Sequence, residues 1–449
     1  MLSKTKSFRE PENDPVAKNY GFAFIMITSL FFFWGFAHNL DPILIPHLKK
    51  SFSLSTLQAT LVDSAVFIAY FVMALPAGFI LKKLGYKYGI IIGLLLFSLG
   101  SFLFIPAANT REYFFFLGAL FIIACGLTIL ETAANPYASL LGNPKTATQR
   151  LNFSQSFNGL AATMAPIIGA RLILTKGYTD LQLNSMTSDA RKFALASEAS
   201  SVKMPYLILG IIILVIAVIF YFIKLPDIKD DEEASGKNIL HAFRHFHLKM
   251  GIIAQFFYVG AQVCVFSLFI LFASKTIPSG SKDHFILVVE NIFKSLHFVD
   301  DTNDSNYLSY YLATCGVAFM SGRFIGTFFM KFIAPNSLLA IYSLINVCLC
   351  LVAIIGHGTI CVYAVIGISF FMSIMFPTIF SLGIRDLGAD TKFGSSLIIM
   401  SIVGGAVLPP IFGYVSDVTN NIQYGYIVPL ICFIVVFLFG WKGYRVNKV

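Results

Sequence analysis

The sequence predicts an all-α integral membrane protein with twelve transmembrane helices in two halves of six. Three observations support this fold class. The chain of 449 residues is 57% hydrophobic and 12% charged, whereas about a quarter of the residues in a typical soluble domain are charged. Apolar runs long enough to cross a bilayer recur along the chain, and a polar stretch separates the first six from the last six. Finally, part of the first half can be aligned with part of the second.

The first half is expected over residues 20–224, after a cytoplasmic tail at 1–19. Its apolar runs lie at 20–45, 57–81, 88–107, 113–140, 152–172 and 204–224. The first run is too long for the core of a signal peptide, and no small-residue cleavage site follows it. We therefore expect it to be retained as a transmembrane helix.

The second half is expected over residues 248–442, between a cytoplasmic linker at 225–247 and a cytoplasmic tail at 443–449. Its apolar runs lie at 248–274, 305–331, 337–355, 358–384, 394–416 and 425–442. The outer loop 275–304 contains HFILVVENIFKSLHFV, in which apolar residues recur at helical spacing. This pattern predicts an amphipathic helix, which could lie in the membrane surface or cover a gate.

A weak internal repeat supports the division into halves. The stretch 135–169 can be laid over 376–413, so that Pro136 matches Pro377 and Gly159 matches Gly404. The fourth run then corresponds to the tenth and the fifth to the eleventh. Two six-helix halves related by a parallel repeat are typical of major facilitator transporters, which bind substrate between the halves near the middle of the bilayer.

Charge and cysteine content argue against two other kinds of protein. The net charge is +9, but most Lys and Arg residues fall on the cytoplasmic side of the predicted topology, as the positive-inside rule requires. A nucleic-acid partner is therefore not expected. The seven cysteines all lie in apolar runs without zinc-ligand spacing, so we interpret them as small core residues and expect no metal site.

Three carboxylates lie inside apolar runs of the first half: Asp41, Asp63 and Glu131. An ionisable group in the bilayer costs on the order of 3 kcal/mol and usually faces a cavity. Because burial disfavours the charged form of a carboxyl group, such a group can bind and release a proton as its surroundings change. All three are therefore candidate proton-coupling residues. Glu131 is the deepest of them, and the alternative is a protonated acid that bonds to a neighbouring helix.

Neutral polar residues recur at helical spacing in the fifth and seventh runs. Gln155 and Asn158 share one helix face, and Tyr258 and Gln262 share another with Gln255. Amides both donate and accept hydrogen bonds, so they suit an uncharged, hydroxyl-rich ligand such as a sugar. The alternative is hydrogen bonding between helices. The candidate substrate-binding residues are Gln155, Asn158, Asn39, Trp34, Tyr258, Gln262 and Asn135.

The turn PAGFILKKLGYKYG at 76–89 is a candidate gating segment. Gly85 permits a tight turn, and Lys82 and Lys83 can contact lipid headgroups. The segment MSGRFIGTFFMKF, which carries Arg323, looks like its counterpart in the second half. We expect these segments to latch the halves together.

Five motifs carry a resemblance that covers nearly the whole chain. They are LETAANPY, RLNFSQSFN, PAGFILKKLGYKYGI, QFFYVGAQ and PTIFSLGIRDLGADTKFGSS. Together they resemble the L-fucose:proton symporter family of bacterial inner membranes, whose members carry L-fucose, glucose and galactose, or N-acetylglucosamine. The resemblance implies proton-coupled sugar symport by alternating access. It also implies that Glu131 is the family's coupling glutamate, and that Gln155 and Asn158 line the sugar cavity.

The first transmembrane run departs from the family pattern. The fucose carrier has N-L-N-D-I-L where this chain has N-L-D-P-I-L at 39–44. The family's aspartate therefore corresponds to Pro42, and the acid Asp41 precedes it by one residue. A shift of one residue turns a helical side chain by about 100°. Asp63 replaces a glutamine of the fucose carrier.

The sequence leaves several functions open. A proton-coupled symporter of L-fucose or a related hexose is the first hypothesis, with a monomer, both termini in the cytoplasm, and no cofactor other than the coupling proton. A passive sugar facilitator of the same fold is the second, and N-acetylglucosamine, glucose or galactose could be the true substrate. A membrane enzyme is not expected, because HExxH and GxSxG motifs are absent. A sugar sensor without transport also remains open.

Overall fold

A computed structural model of the chain describes residues 17–39, 61–110, 112–173, 185–200, 202–223, 239–277 and 307–446, and the single positions 52, 225, 287, 288 and 291. The structure of these residues is helical, and they contain no β-strand. Nine of their helical segments are long and apolar enough to cross a membrane. The large apolar side chains on the outer faces of the helices are exposed, for example Phe114 at 75% and Phe222 at 77%. Such an apolar exterior fits a bilayer as solvent.

Six α-helices lie in the described residues of the first half. They are α1 (Ala17–His38), α2 (Leu61–Thr110), α3 (Tyr113–Leu140), α4 (Ala147–Ile173), α5 (Ser188–Ser200) and α6 (Lys203–Phe222). Helix α2 packs against α3 and α6, while α1 packs along α4. The short helix α5 lies between the fifth and sixth predicted runs, where no helix was expected.

The second and third predicted runs form the single element α2, which is interrupted only at Gly85. This glycine has φ 81° and ψ 174°, a conformation that is essentially restricted to glycine. The predicted turn is therefore a kink of one residue between two transmembrane segments. The turn at 141–146 between α3 and α4 lies at the same end of the bundle, because the Tyr86 ring packs at a tilt against that of Tyr137, with centroids 5.5 Å apart. We call this end the turn end.

From residue 239 onward, the described part of the second half contains ten α-helices. They are α7 (Ile239–Ala242), α8 (Phe246–Ser267), α9 (Phe269–Thr276), α10 (Tyr307–Phe329), α11 (Pro335–Ile355), α12 (Thr359–Met372), α13 (Met375–Gly383), α14 (Thr391–Met400), α15 (Gly404–Thr419) and α16 (Ile427–Leu438). Two predicted runs are broken helices. The tenth run is α12 and α13, separated at Ser373, and the eleventh is α14 and α15, joined by a 3₁₀ turn at Ser401–Val403.

The halves meet along α2, α3 and α4 on one side and α10, α13 and α14 on the other. Helix α10 packs on α4, α13 packs on α3 and α4, and α14 packs on α2 and α3. The helices of this interface include those that carry the acid and amide candidates. The fold thus places the polar side chains of α3 and α4 beside the second half.

Several predicted features lie outside the described residues. These include the N-terminal tail up to residue 16, most of the linker at 226–238, and nearly all of the loop helix predicted within 275–304. Helix α8 begins at Phe246, two residues before the predicted start of the second half. The domain boundaries and the placement of both termini in the cytoplasm stay predictions.

Candidate functional site

Glu131 lies within a buried stretch of α3 at the interface. Its side chain is 5% exposed, and every described residue from Ile123 to Ser139 is buried. The Tyr70 hydroxyl on α2 donates a hydrogen bond of 2.6 Å to Glu131 Oε1. Within the described part of the chain, no cationic side chain forms a salt bridge with this carboxyl group. An ionised carboxylate that is buried without a cation is costly. This environment therefore favours the neutral, protonated form of the carboxyl group.

Asn135 connects Glu131 to the amides of α4. It lies four residues after Glu131, on the same face of α3, and its Oδ1 accepts a hydrogen bond of 3.0 Å from Gln155 Nε2. Asn135 is fully buried, and its Nδ2 has no hydrogen-bond partner among the described residues. Since buried amide donors are normally satisfied, Asn135 offers a donor to a ligand.

Arg323 joins the two halves beside Gln155. Its Nη1 donates to the Gln155 carbonyl oxygen at 2.8 Å, and its Nε donates to the Ser373 carbonyl oxygen at 2.7 Å. The guanidinium also lies over the Phe319 ring, 4.5 Å from the centroid. The Ser373 carbonyl lies at the break between α12 and α13, where a helix leaves carbonyl groups without intrahelical partners.

Arg323 does not lie where the sequence predicts it, in a counterpart of the turn at 76–89 that holds the halves together. Its side chain is 4% exposed and bonds at the level of Gln155, whereas Lys82 and Lys83 lie at the turn end and are exposed. Arg323 thus connects the halves, but from within the buried layer. A gating role for these residues stays a prediction.

Asn158 is held against α1 by a close helix approach. A Cβ atom added at Gly35 would lie 2.8 Å from Asn158 Cγ and 2.9 Å from its Cα. Only a glycine leaves room for α4 at this point. Asn158 itself is half-buried, so its amide is not fully enclosed by protein.

The other candidates on α1 make contacts within their own helix. Trp34 is 4% exposed, and its ring lies 4.7 Å from that of Phe31. Asn39 donates its side-chain amide to the Gly35 carbonyl oxygen at 2.6 Å, at the end of α1. These contacts account for both residues structurally, and their predicted roles in sugar binding stay predictions.

The polar stripe of α8 faces the interior of the second half. Tyr258 is fully buried, with its ring 6.4 Å from that of Phe376. Gln262 is half-buried. Gln255 belongs to the same predicted stripe. It is fully buried, and neither of its amide atoms has a hydrogen-bond partner among the described residues.

Two predicted coupling acids cannot be placed. Asp41 lies in the segment 40–51, outside the described residues, and the side chain of Asp63 on α2 also lies outside them. The proposal that either acid supplements Glu131 stays a prediction.

Aromatic and cationic residues connect the halves at the turn end. The Phe79 ring packs edge-on against that of Phe393, with centroids 5.1 Å apart. Lys82 lies 5.2 Å from the centroid of Phe393, and Lys392 lies 5.4 Å from that of Tyr86. Each lysine thus contacts an aromatic ring of the opposite half.

Hydroxyl and amide groups extend the same interface inward. Thr148 and Ser381 form a hydroxyl–hydroxyl hydrogen bond of 2.9 Å, and Asn152 Nδ2 donates to Thr378 Oγ1 at 3.1 Å. Both pairs join α4 to α13. The halves are therefore in direct contact from the turn end to the level of Arg323.

Sequence reasoning missed Tyr70 at this site and a buried amide on α11. Tyr70 was not predicted, because a tyrosine in a Phe-rich apolar run gives no sign of its partner. Asn346 on α11 is fully buried without a hydrogen-bond partner for either amide atom in the described residues. An asparagine in an otherwise apolar run was a signal that could have identified it.

Comparisons with known proteins identify the family of the chain. The Major Facilitator Superfamily profile matches residues 23–398. The L-fucose-proton symporter of Escherichia coli (strain K12) is 38% identical over 446 residues, which cover 97% of both chains. The Glucose/galactose transporter of Brucella abortus biovar 1 (strain 9-941) is 39% identical over 440 residues, which cover 96% of this chain and 98% of the relative.

Solved structures give the same result. A crystal structure of the E. coli fucose:proton symporter superposes with a TM-score of 0.84 at 37% identity, covering 96% of this chain and 100% of that chain. The proton:xylose symporter XylE shares the fold alone, with a TM-score of 0.64 at 12% identity. The predicted fold class is thus confirmed. The chain belongs to the major facilitator superfamily of multi-pass membrane transporters and, within it, to the family of the L-fucose-proton symporter and the glucose/galactose transporters.

Proposed function

We propose that this chain is a proton-coupled symporter of a monosaccharide, L-fucose or a related hexose, that works by alternating access in a bacterial inner membrane. The observation that carries the proposal is Glu131, a buried carboxyl group that has no cationic partner in the described residues and lies one helical turn from a ligand-competent amide. The names of the relatives, which include an L-fucose-proton symporter and glucose/galactose transporters, support the same function.

Tyr70 allows Glu131 to change its protonation state without losing its partner. A tyrosine hydroxyl can both donate and accept. When Glu131 is ionised, the hydroxyl donates to the carboxylate, as in the 2.6 Å contact. When Glu131 is protonated, its O–H can donate to the same hydroxyl oxygen. Glu131 can therefore keep its proton while the site is closed to water and release it when the site opens to the cytoplasm.

The sugar is proposed to bind through amides from both halves. Asn135 Nδ2 on α3 and the amide of Gln255 on α8 are buried and unsatisfied in the described residues. An unsatisfied buried polar group costs roughly 1–3 kcal/mol, and a sugar hydroxyl would remove that cost. Gln155, Asn158 and Gln262 would add further hydrogen bonds, and aromatic rings such as Tyr258 would pack on the C–H face of the sugar.

Arg323 couples the binding site to the relative position of the halves. Its two hydrogen bonds to carbonyl oxygens connect α4 with the α12–α13 break. When the halves separate at the turn end, at least one of these bonds must be broken or exchanged. A sugar bound to Gln155 lies on the same helix turn, so we propose that sugar binding and half rotation are linked through this residue.

A passive facilitator of the same fold is the second candidate, and Glu131 favours symport over it. A facilitator needs no buried acid, because it only equilibrates sugar. The two are distinguished in proteoliposomes with labelled sugar and an imposed pH gradient, acidic outside. A symporter accumulates sugar above the external concentration, and a protonophore abolishes the accumulation. A facilitator reaches equal concentrations under both conditions.

The identity of the sugar is tested in the same vesicles. L-Fucose, D-galactose, D-glucose and N-acetylglucosamine are compared as unlabelled competitors. We expect L-fucose or one of the hexoses to compete best, and competition by none of them would contradict the proposed substrate class. Binding without flux would instead indicate a sensor.

We further propose that the protein is a monomer with both termini in the cytoplasm, that it is not an enzyme, and that transport itself requires no cofactor besides the proton.

A further inference from the structure

Three potential metal ligands lie together at the start of the second half, outside the site around Glu131. His241 is in the short helix α7, His245 immediately precedes α8, and Asp390 ends the 3₁₀ turn before α14. One ligand atom of each, His241 Nδ1, His245 Nε2 and Asp390 Oδ2, lies within 4.8 Å of the other two. The transport mechanism proposed above uses none of them.

The chain brings the two histidines to the same side through a tight turn. The backbone N–H of Arg244 donates to the His241 carbonyl oxygen at 3.0 Å, and that of His245 donates to the Ala242 carbonyl oxygen at 3.2 Å. The imidazole rings are consequently 6.2 Å apart, with Asp390 between them. Helix α7 packs against the 3₁₀ turn and α14, which fixes the carboxylate in this position.

The distances are close to those of a tetrahedral site. Metal–ligand bonds of about 2.0–2.2 Å place the ligand atoms of a tetrahedral zinc site roughly 3.3–3.6 Å apart. His245 Nε2 lies 3.3 Å from Asp390 Oδ2. His241 Nδ1 lies 2.6 Å from the same oxygen, so this hydrogen bond would open by less than about 1 Å when a metal replaces its proton.

The environment of Asp390 indicates more than a surface ion pair. Its side chain is 4% exposed, and its Oδ1 has no hydrogen-bond partner among the described residues. It does not cap α14, which is a common role for an aspartate before a helix. A buried carboxylate oxygen without a donor is costly, and a divalent cation bound by both carboxylate oxygens would satisfy it.

The chemical types of the three ligands indicate which class of ion would bind. Two imidazoles and one carboxylate suit zinc and similar first-row transition metals, whereas Mg²⁺ and Ca²⁺ prefer oxygen ligands in larger number. The His241 side chain is 50% exposed, which leaves an entry path and room for water as a fourth ligand. We propose that His241, His245 and Asp390 form a binding site for a zinc-class divalent cation.

The test uses the full-length protein in detergent, purified with an affinity tag that contains no histidine and then stripped with EDTA. Zn²⁺ is titrated in competition with a chromophoric chelator. We expect one high-affinity Zn²⁺ per chain, with no competition from millimolar Mg²⁺. Asp390→Asn and His245→Gln should each weaken the affinity by about tenfold or more, because removal of a direct ligand should weaken binding at least as much as removal of an outer-shell partner. His357→Gln is the matched control, since His357 is an exposed histidine in the α11–α12 turn, and it should bind Zn²⁺ as the wild type does.

Two further measurements keep the test decisive if a buried substitution disturbs folding. His241→Gln alters a half-exposed side chain, and it should weaken binding while the protein keeps its elution volume on size exclusion. The X-ray absorption spectrum of the loaded wild type should show nitrogen and oxygen ligands with two imidazoles. Equal affinity of His241→Gln and the wild type, or a shell that contains sulfur, would overturn the proposed site.

Discussion

At the scale of single residues, the transport proposal depends on the acid on α3. Glu131 could be predicted from the sequence because a carboxylate in a long apolar run has few structural explanations. Its partner Tyr70 lies 61 residues away and could not be predicted, since no local pattern links the two. The buried position of Arg323 was missed, although Pro377 indicated the break that supplies its acceptor. Pro377 has no N–H to pair with the Ser373 carbonyl, four residues earlier.

The first prediction concerns Glu131→Gln. The amide oxygen of the new side chain can still accept the Tyr70 hydrogen bond, but the side chain cannot bind or release a proton. We expect exchange of labelled for unlabelled sugar to persist and accumulation driven by a pH gradient to be lost. Both are measured in the same proteoliposomes, and accumulation at the wild-type level would contradict the role of Glu131.

The second prediction concerns Arg323→Lys. A lysine keeps the charge but lacks the planar fork that reaches two carbonyl oxygens at once. A hydrogen bond from a charged donor contributes about 1.5–3 kcal/mol, so we expect the uptake rate to fall by roughly tenfold or more. Lys331→Arg at the exposed end of α10 serves as the control. An Arg323→Lys protein with an unchanged rate would exclude the proposed link between the halves.

At the scale of elements, helix positions could be predicted more fully than helix interruptions. The length of each apolar run determined the span, and the helix bounds follow the predicted runs closely. The kink in α2 lies at Gly85, and the break after α12 lies four residues before Pro377, which cannot donate to the Ser373 carbonyl. Gly85 correctly indicated a turn. In the structure, the turn is a single residue with an unusual backbone conformation rather than a loop.

The third prediction tests this kink. Gly85→Ala introduces a Cβ that meets no atom within 4 Å, so any effect must come from the backbone conformation at φ 81°. A non-glycine residue in this region costs about 1–3 kcal/mol, and we expect a lower thermal unfolding temperature. Gly118→Ala is the matched control, because Gly118 lies in the regular part of α3 and also has open space around it. Equal unfolding temperatures for the two variants would show that the kink is not strained.

At the scale of the whole molecule, the division into halves could be predicted from the internal repeat, but the contacts between them could not. Thr148 and Ser381 are separated by 233 residues, and neither stands out in its own segment. The metal-ligand cluster was missed for the same reason. His241 and His245 are close in sequence, whereas the carboxylate that completes the set comes from the 3₁₀ turn before α14.

The fourth prediction tests the separation of the halves at the turn end. In Thr148→Cys/Ser381→Cys, thiols replace hydroxyls that are 2.9 Å apart, a spacing compatible with a disulfide. We expect oxidation to stop transport and a reductant to restore it, because the bond locks α4 to α13.

The control for this lock is a second pair of hydroxyls within one half. Thr28 and Ser154 are 3.0 Å apart and connect α1 to α4. We expect Thr28→Cys/Ser154→Cys to form a disulfide and still transport sugar. Disulfide formation is verified for both pairs by mass spectrometry. Undiminished transport by the cross-linked Thr148→Cys/Ser381→Cys protein would contradict alternating access at this end.

The most direct test of proton coupling is to record external pH while sugar enters proteoliposomes that contain the purified protein, without an imposed gradient. We predict that the transported sugar makes the weakly buffered medium outside more alkaline, and that Glu131→Gln abolishes this change. Sugar entry into wild-type proteoliposomes with no alkaline shift outside would contradict the coupling mechanism.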